Sequence, residues 1–297
     1  MNDKKKAKQI VIISGKGGTG KTSITASFAA LSRDSVLADC DVDAADLHLV
    51  ASPRRIAVNS FISGNEAVIS PDICTGCGRC SDLCRFEAVS RDESTGKYFV
   101  LPVSCEGCGV CVDNCPAGAI DFPQRRCGEW MISETKYGTM VHSRLDAGAE
   151  NSGKLVTLVR NEAVNAAEKE SADLILIDGP PGIGCPVIAS LTGTDYILAV
   201  TEPTMSGRHD LMRVLDLAGH FKIPVFVCIN KWDINPEITK DIEKLSAEKN
   251  AEILGRIPYD MNITLAQIKG ISAVEITDSI AAKEITAIWK KLKQKIL

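Results

Sequence analysis

The chain has 297 residues, 45% hydrophobic and 24% charged, enough apolar material for one large or two smaller folded domains and outside the collagen-like, disordered and coiled-coil classes. The 34 basic and 38 acidic side chains leave −4 and aromatic residues stand at 5%, so a nucleic-acid binder's charge and stacking surface are both missing. Neither a signal peptide nor a bilayer span is expected: the apolar run Ile223–Ile229 carries Pro224 and falls far short of roughly 20 residues. The lysine-rich start leads into only a short apolar run, and a cytoplasmic location without membrane contact is expected.

Ile10–Ser14 reads as a buried strand that runs into a glycine-rich stretch, with a helix predicted over Gly20–Leu31 and a strand over Val36–Asp39. Residues 64–124 then break the pattern, being rich in Cys, Gly and Pro with short strands such as Tyr98–Leu101, and Arg125–Ser152 resists assignment. From Lys154 the alternation returns. Strands are predicted over Leu155–Val159, Leu174–Ile177, Tyr196–Val200, Val225–Ile229 and Glu252–Ile257. Helices are predicted over Glu162–Lys169, Val187–Leu191, Gly207–His220, Pro236–Lys249 and Ile276–Lys293. Apolar strands alternating with helices predict an α/β fold, a mostly parallel sheet with helices on both faces. The expected division is a main domain of residues 1–63 and 125–297 with a small α+β domain, 64–124, inserted in it. An insertion of that size is tolerable because loop-closure cost grows only about 0.6 kcal/mol per doubling of length.

Gly15-Lys-Gly-Gly-Thr-Gly-Lys-Thr22 matches G-x-x-x-x-G-K-[ST] between a strand and a helix. In that motif Gly15, Gly17, Gly18, Thr19 and Gly20 curl the backbone so that N–H groups and the helix N-terminus face phosphate oxygens. Lys21 is expected on the β- and γ-phosphates and Thr22 on Mg²⁺. With Lys16 directly after the first glycine, the loop resembles the deviant phosphate loop of the MinD/Mrp/nitrogenase-iron-protein group of P-loop ATPases. The resemblance implies that Lys16 reaches across a nucleotide-sandwich homodimer, closed by ATP, to the partner's phosphates.

Further stretches resemble the landmarks of that group in order. Asp39-Cys-Asp-Val-Asp43 resembles its first switch, which implies that Asp41 orients the attacking water and that Asp39 lies near Mg²⁺. Leu174-Ile-Leu-Ile-Asp-Gly-Pro-Pro-Gly182 resembles the Walker B strand and second switch, placing Asp178 on Mg²⁺ through water and the Gly182 N–H at the γ-phosphate. Asn230-Lys231 and Pro258-Tyr-Asp260 resemble the adenine-contacting loops. Lys16, Lys21, Asp41 and Asp178 are thus the implied catalytic set, with ATP and Mg²⁺ as cofactors. Taken singly, an acidic residue at a strand end reads as well as a helix cap.

Cysteine is the compositional outlier, twelve in all with eight between Cys74 and Cys115, a density that points to metal in a reducing compartment. Residues 73–89 laid on 104–120 match at Cys74/Cys105, Gly76/Gly107, Cys77/Cys108, Gly78/Gly109, Cys80/Cys111, Asp82/Asp113, Cys84/Cys115 and Ala88/Ala119, the mark of a duplication. Each half is C-x2-C-x2-C-x3-C, the run of bacterial two-cluster ferredoxins. In that pattern the fourth cysteine of each run serves the other cluster. The resemblance therefore implies one [4Fe–4S] cluster on Cys74, Cys77, Cys80 and Cys115, and another on Cys105, Cys108, Cys111 and Cys84. Zinc sites instead pair cysteines across a long spacer. Arg85 stands where the second run has Pro116.

The chain as a whole resembles a MinD-superfamily ATPase with an inserted ferredoxin domain. The leading expectation is a nucleotide cycle coupled to electron transfer or metallocluster assembly with a partner protein. A MinD-like positioning ATPase with structural clusters is the alternative. The tail offers Ile285, Ile288, Trp289, Leu292 and Ile296 on one side, read as core packing ahead of a membrane-binding face. Mrp-type carriers bridge a cluster with a C-x-x-C near the C-terminus, whereas the last cysteine here is Cys228. Cys185 reads as a small buried thiol at a helix start, the alternative being a cluster bridging two subunits with Cys127 as second ligand. His142 and His209 read as structural.

Overall fold

A computed structural model describes residues 6–32, 34–149 and 151–297; the lysine-rich start through Lys5 lies outside the described residues. Two compact units are distinguished. The first comprises residues 1–58, 130–144 and 152–297, and the second residues 59–129 and 145–151.

In chain order the first unit opens with β1 (Lys8–Ser14), α1 (Lys21–Ser32), β2 (Ser35–Asp39) and a short α2 (Leu47–Ala51). The chain leaves along β3 (Arg54–Asn65) and returns along β8 (Gln124–Thr135), which is followed by β9 (Gly138–Leu145). The alternation α5 (Ser152–Glu170), β10 (Leu174–Pro181), α6 (Cys185–Leu191), β11 (Tyr196–Thr201), α7 (Met205–Phe221), β12 (Val225–Asn230), α8 (Pro236–Glu248) and β13 (Glu252–Ile257) follows. Helices α9 (Met261–Ile268) and α10 (Ile280–Ile296) close the chain. The strands form one nine-stranded sheet in the order β13-β12-β11-β1-β10-β2-β9-β8-β3. β1 pairs in parallel with β10 and β11, β10 with β2, β11 with β12, and β12 with β13.

Strands buried on both faces read as unbroken apolar runs, which is why Val-Ile-Ile and Leu-Ile-Leu-Ile announced β1 and β10. One core layer joins Ile10, Ile12, Leu37, Leu176 and Leu198 to Phe28, Ile285, Trp289 and Leu292. The rings of Phe28 and Trp289 lie 5.0 Å apart. The apolar side of α10 is thus taken by the core, as expected, and the helix begins at Ile280 instead of Ile276 because Ser279 caps it through the Ala282 N–H.

One predicted pair of elements is wrong. The strand Leu155–Val159 and the helix Glu162–Lys169 are a single helix, α5. Leu155, Val156, Val159, Ala163, Ala166 and Ala167 are its buried stripe, a 3.6-residue period in which two valines suggested a strand. The unassigned stretch holds β8 and β9, joined through Lys136 and Tyr137. At the joint Gly138 has φ +129°, and a Cβ there would come within 2.6 Å of the Ser35 carbonyl oxygen.

The second unit adds β4 (Val68–Ile69), α3 (Arg79–Leu83), β5 (Val89–Arg91), β6 (Tyr98–Val100), α4 (Val110–Asp113) and β7 (Ile120–Asp121). β4 pairs with β7 and β5 with β6, both antiparallel. The sequence duplication is also a backbone duplication: φ is +73° and +61° at Gly76 and Gly107, and +80° and +76° at Gly78 and Gly109. Glu87, at φ +53°, takes the left-handed place that the second half gives to Gly118. Ala67, Ile69, Val89 and Ile120 form its buried apolar centre, ringed by cysteines.

His142 on β9 is hydrogen-bonded to Ser133 on β8 at 2.8 Å and is buried, the structural role expected of it. Burial, then the nearby His48 and Arg55, lower its pKa from 6.5 to about 4. Its folded pKa lies below the unfolded value, so its contribution is complete above pH 6.5 and is lost as pH falls toward 4. Urea unfolding at pH 7 and pH 4.5 is expected to show His142→Gln losing about 2–3 kcal/mol less over that interval than the unsubstituted protein. Equal losses in the two proteins contradict the assignment.

Candidate functional site

β1 ends at Ser14 and α1 starts at Lys21, so Gly15–Gly20 form the turn that a phosphate loop requires. The turn borders a cleft of about 580 Å³ lined by residues 17–23, Asp41, Leu49, Asn230, Lys231, Pro258, Tyr259 and Asp260. Clefts of this size suit a small ligand. The Thr19 hydroxyl, within the loop, is buried and has no hydrogen-bond partner. A buried polar atom left unsatisfied is costly, and a phosphate oxygen is the acceptor this loop is built to receive.

Two carboxylates, Asp41 in the cleft wall and Asp178 buried behind it, contact the Lys21 ammonium, and a third, Asp39, lies beside Asp178. Lys21 Nζ lies 3.2 Å from Asp41 Oδ2 and 3.5 Å from Asp178 Oδ1. Thr22 Oγ1 donates to Asp178 Oδ2 at 2.7 Å, and Thr25 Oγ1 to Asp178 Oδ1 at 2.9 Å. Asp39, side by side with Asp178 in the β2/β10 register, accepts the N–H groups of Asp41 and Leu47. Burial, then Asp178, pushes the Asp39 carboxyl well above the ordinary carboxylate range. Burial raises Asp41 as well, against the pull of Lys21. Lys21 is lowered by burial but raised more by Asp178, Asp41 and Asp39 together. Such an acidic donor set beside a threonine hydroxyl fits a divalent cation held with phosphate. Thr25 was not foreseen, although its place three residues after Thr22 sets it on the same face of α1.

Several expected groups are engaged elsewhere. The Gly182 N–H donates to the Ser14 carbonyl at 2.9 Å and so is not aimed at a phosphate. Asn230 lines the cleft, yet its Nδ2 donates to the Thr19 carbonyl at 2.8 Å and its Oδ1 accepts the Lys231 N–H, bracing the loop. Gly20, at φ +88°, makes room for that brace, since a Cβ there would sit 2.4 Å from Asn230 Nδ2. Asp260 caps α9 through the Asn262 N–H and accepts from the Ser279 hydroxyl at 2.7 Å. Pro258 lines the cleft as placed, beside Tyr259. Lys16 does not line it. Its Nζ lies 2.5 Å from Glu202 Oε1 and within 3.3 Å of the Thr204 and Ser206 hydroxyls.

All twelve cysteines are free thiols. In the second unit Cys74, Cys77, Cys80 and Cys115 wall one cavity, and Cys84, Cys105, Cys108 and Cys111 wall another. Each cavity thus takes three cysteines from one run and the fourth from the other. Cys84 Sγ accepts the Ala88 N–H at 3.4 Å and Cys115 Sγ accepts the Ala119 N–H at 3.3 Å, equivalent bonds in the two halves. Among the described residues no three His, Cys, Asp or Glu side chains converge closely enough to grip a single metal ion. Four thiols around a hollow, with sulfurs facing backbone N–H groups, fit a polynuclear cluster.

The remaining cysteines divide otherwise than expected. Cys185, expected to be buried, is exposed at the start of α6. Cys127 is buried and its thiol donates to the Ser63 carbonyl at 3.0 Å, which removes it as an accessible bridging ligand. Cys228 is buried and its pKa is pushed up to about 12 by burial, an inert core thiol. His209 is exposed, 3.6 Å from Asp210.

Fold and loop define an α/β P-loop nucleotide-binding protein. Residues 10–273 match the CobQ/CobB/MinD/ParA nucleotide-binding domain, and the chain belongs to that family. An uncharacterized protein of Methanocaldococcus jannaschii is 32% identical over 289 residues, 96% of each chain. The iron-sulfur cluster carrier protein of Pyrococcus abyssi is 28% identical over 158 residues, 48% of this chain and 53% of that protein. The cell division ATPase MinD of Pyrococcus furiosus matches with a TM-score of 0.56 and 20% identity, over 97% of this chain and 99% of that one. The septum site-determining protein MinD of Pyrococcus horikoshii, complexed with Mg-ADP, gives 0.57 and 19% identity over 97% of each chain. At these identities the two structures share the fold.

Thr25→Val leaves a wholly buried carboxylate short of one donor. It is expected to cost about 1–3 kcal/mol in denaturant unfolding, and Thr25→Ser much less. Equal stabilities of the Val and Ser variants contradict the role given to this hydroxyl.

Proposed function

We propose that this protein is a Mg²⁺-dependent ATPase that couples its nucleotide cycle to two [4Fe–4S] clusters, for electron transfer to a partner protein or cluster assembly on it. The observation that carries the reading is the pair of cysteine-walled cavities in a chain that also holds a phosphate loop. Bound clusters supply one-electron transfer or transferable iron and sulfide. Cys74, Cys77, Cys80 and Cys115 hold one, Cys105, Cys108, Cys111 and Cys84 the other. Relatives named iron-sulfur cluster carrier proteins, aligned over about half of this chain, are consistent with that chemistry.

On the nucleotide side, Gly15–Thr22 wraps the phosphates and Lys21 offsets their charge. Thr22 and Asp178 hold the divalent ion, with Asp39 beside them. Asp41 orients the attacking water; as the water oxygen bonds to the γ-phosphorus, the bond from that phosphorus to the β,γ-bridging oxygen breaks, ADP leaves with the bonding electrons, and the water proton ends on the released phosphate. Lys16 meets the phosphates of a second copy in an ATP-closed homodimer. The apolar side of α10, which the positioning alternative would place on a membrane, is in the core.

Anaerobically purified protein is expected to carry about eight irons per chain with matching sulfide, falling to about four in Cys77→Ser if that cluster is lost. Stoichiometric zinc in place of iron in protein never exposed to air contradicts the reading. Lys16→Ala is expected to bind ATP while turnover drops on the order of 10³-fold, as for other trans-acting cations in phosphoryl transfer. Turnover near that of the unsubstituted protein contradicts the role of Lys16.

A further inference from the structure

The two cysteine-walled cavities come from one duplicated run, so residues around one can be compared place by place with those around the other. The matched places differ in charge. Arg79 lines the cavity of Cys74, Cys77, Cys80 and Cys115, and Val110 stands at its place in the second half. Glu106 lines the cavity of Cys84, Cys105, Cys108 and Cys111, where the first has Thr75. The aromatic cover differs too. A Cβ built on Gly78 would sit 3.0 Å from the Tyr98 hydroxyl, and one on the matching Gly109 would sit 3.4 Å from the Phe122 ring. The same place thus holds an O–H donor at one cavity and bare hydrocarbon at the other. Phe86 walls the second cavity where the first has Ala117. Other charges beside the second cavity offset one another. Arg125 donates to the Cys105 carbonyl at 3.1 Å but is paired with Glu66 at 3.6 Å, and Arg85 and Glu87, just after Cys84, have opposite signs. Arg79 donates at 3.4 Å to Asn114 Oδ1, a neutral acceptor.

We propose that Arg79 and Glu106 set the two cluster sites at different reduction potentials, the Cys74 site above the Cys105 site, so that the first electron taken up rests at the Cys74 site. The proposal rests on the iron–sulfur reading. An added electron makes a thiolate-bound cluster more negative, so a nearby cation or O–H donor favours the reduced form. A carboxylate or apolar cover opposes it. Arg79 and the Tyr98 hydroxyl raise one site; Glu106 and the Phe86 and Phe122 rings lower the other. All the differences act in the same direction. A one-electron donor gives up one electron, which the Cys74 site keeps, and no proton moves. An electron that arrives first at the Cys105 site passes on, reoxidising that site as the other is reduced. The pair of sites therefore has a fixed downhill direction within the second unit.

The test is a dithionite titration of anaerobic full-length protein without nucleotide, followed by electron paramagnetic resonance, with iron counted in every sample. The unsubstituted protein is expected to reduce in two one-electron waves, the equilibrium between them favouring the upper by at least about tenfold, or 59 mV. Arg79 and Glu106 are both exposed, so solvent screens each and single effects are modest. Arg79→Gln is expected to lower the upper wave alone, on the order of fivefold or about 40 mV. Glu106→Gln is expected to raise the lower wave alone by a similar amount, and the double variant to bring the waves together. Tyr98→Phe is expected to lower the upper wave by less. Waves that coincide in unsubstituted protein carrying both clusters, or that do not move as stated in Arg79→Gln and Glu106→Gln, overturn the assignment. Anaerobic protein that carries no iron overturns the iron–sulfur reading itself.

Discussion

A single ammonium set among three carboxylates organises the nucleotide face. Asp39 and Asp178 are wholly buried and adjacent in the β2/β10 register, where like charges repel strongly. Lys21 and the Thr22 and Thr25 hydroxyls donate to Asp178, and two backbone N–H groups donate to Asp39. The arrangement is possible because parallel strands deliver their carboxyl ends to one edge of the sheet, where ligands of open α/β sheets bind. Three carboxyl groups grouped around one lysine are a donor set that a divalent cation held with phosphate matches.

The second unit depends on a different economy. Its buried apolar cluster is small, centred on Ala67, Ile69, Val89 and Ile120, and little for a unit of some 70 residues to fold on by burial alone. Eight thiols are grouped four and four around two hollows, and metal bound there as proposed would also supply folding free energy. The backbone repeat shows how the grouping arises. Positive-φ glycines at matching places turn each run so that three thiols face one hollow and the fourth faces the other.

Much of this was legible in the residues. Fully buried strands print their apolar runs, and the phosphate loop and cysteine spacings are local patterns that survive without tertiary knowledge. Where valines sit on a helical stripe, as in α5, local propensity pointed the wrong way and packing decided. The hairpin strands β8 and β9 mix polar and apolar residues and could not be read. Long-range pairings were also invisible: Glu202 meets Lys16 across 185 intervening positions, and Asn230 braces the phosphate loop where base contact was expected. Exposure of Cys185 and burial of Cys127 are likewise outcomes of packing, beyond any pattern in the chain.

The central claim is that nucleotide and clusters communicate within one chain. The direct measurement is an anaerobic redox titration followed by electron paramagnetic resonance, with and without saturating Mg-ATP. The account predicts signals of two reduced [4Fe–4S] centres per chain whose midpoint potentials move when Mg-ATP binds. Potentials that stay the same with bound Mg-ATP, in protein shown to carry both clusters, would contradict it.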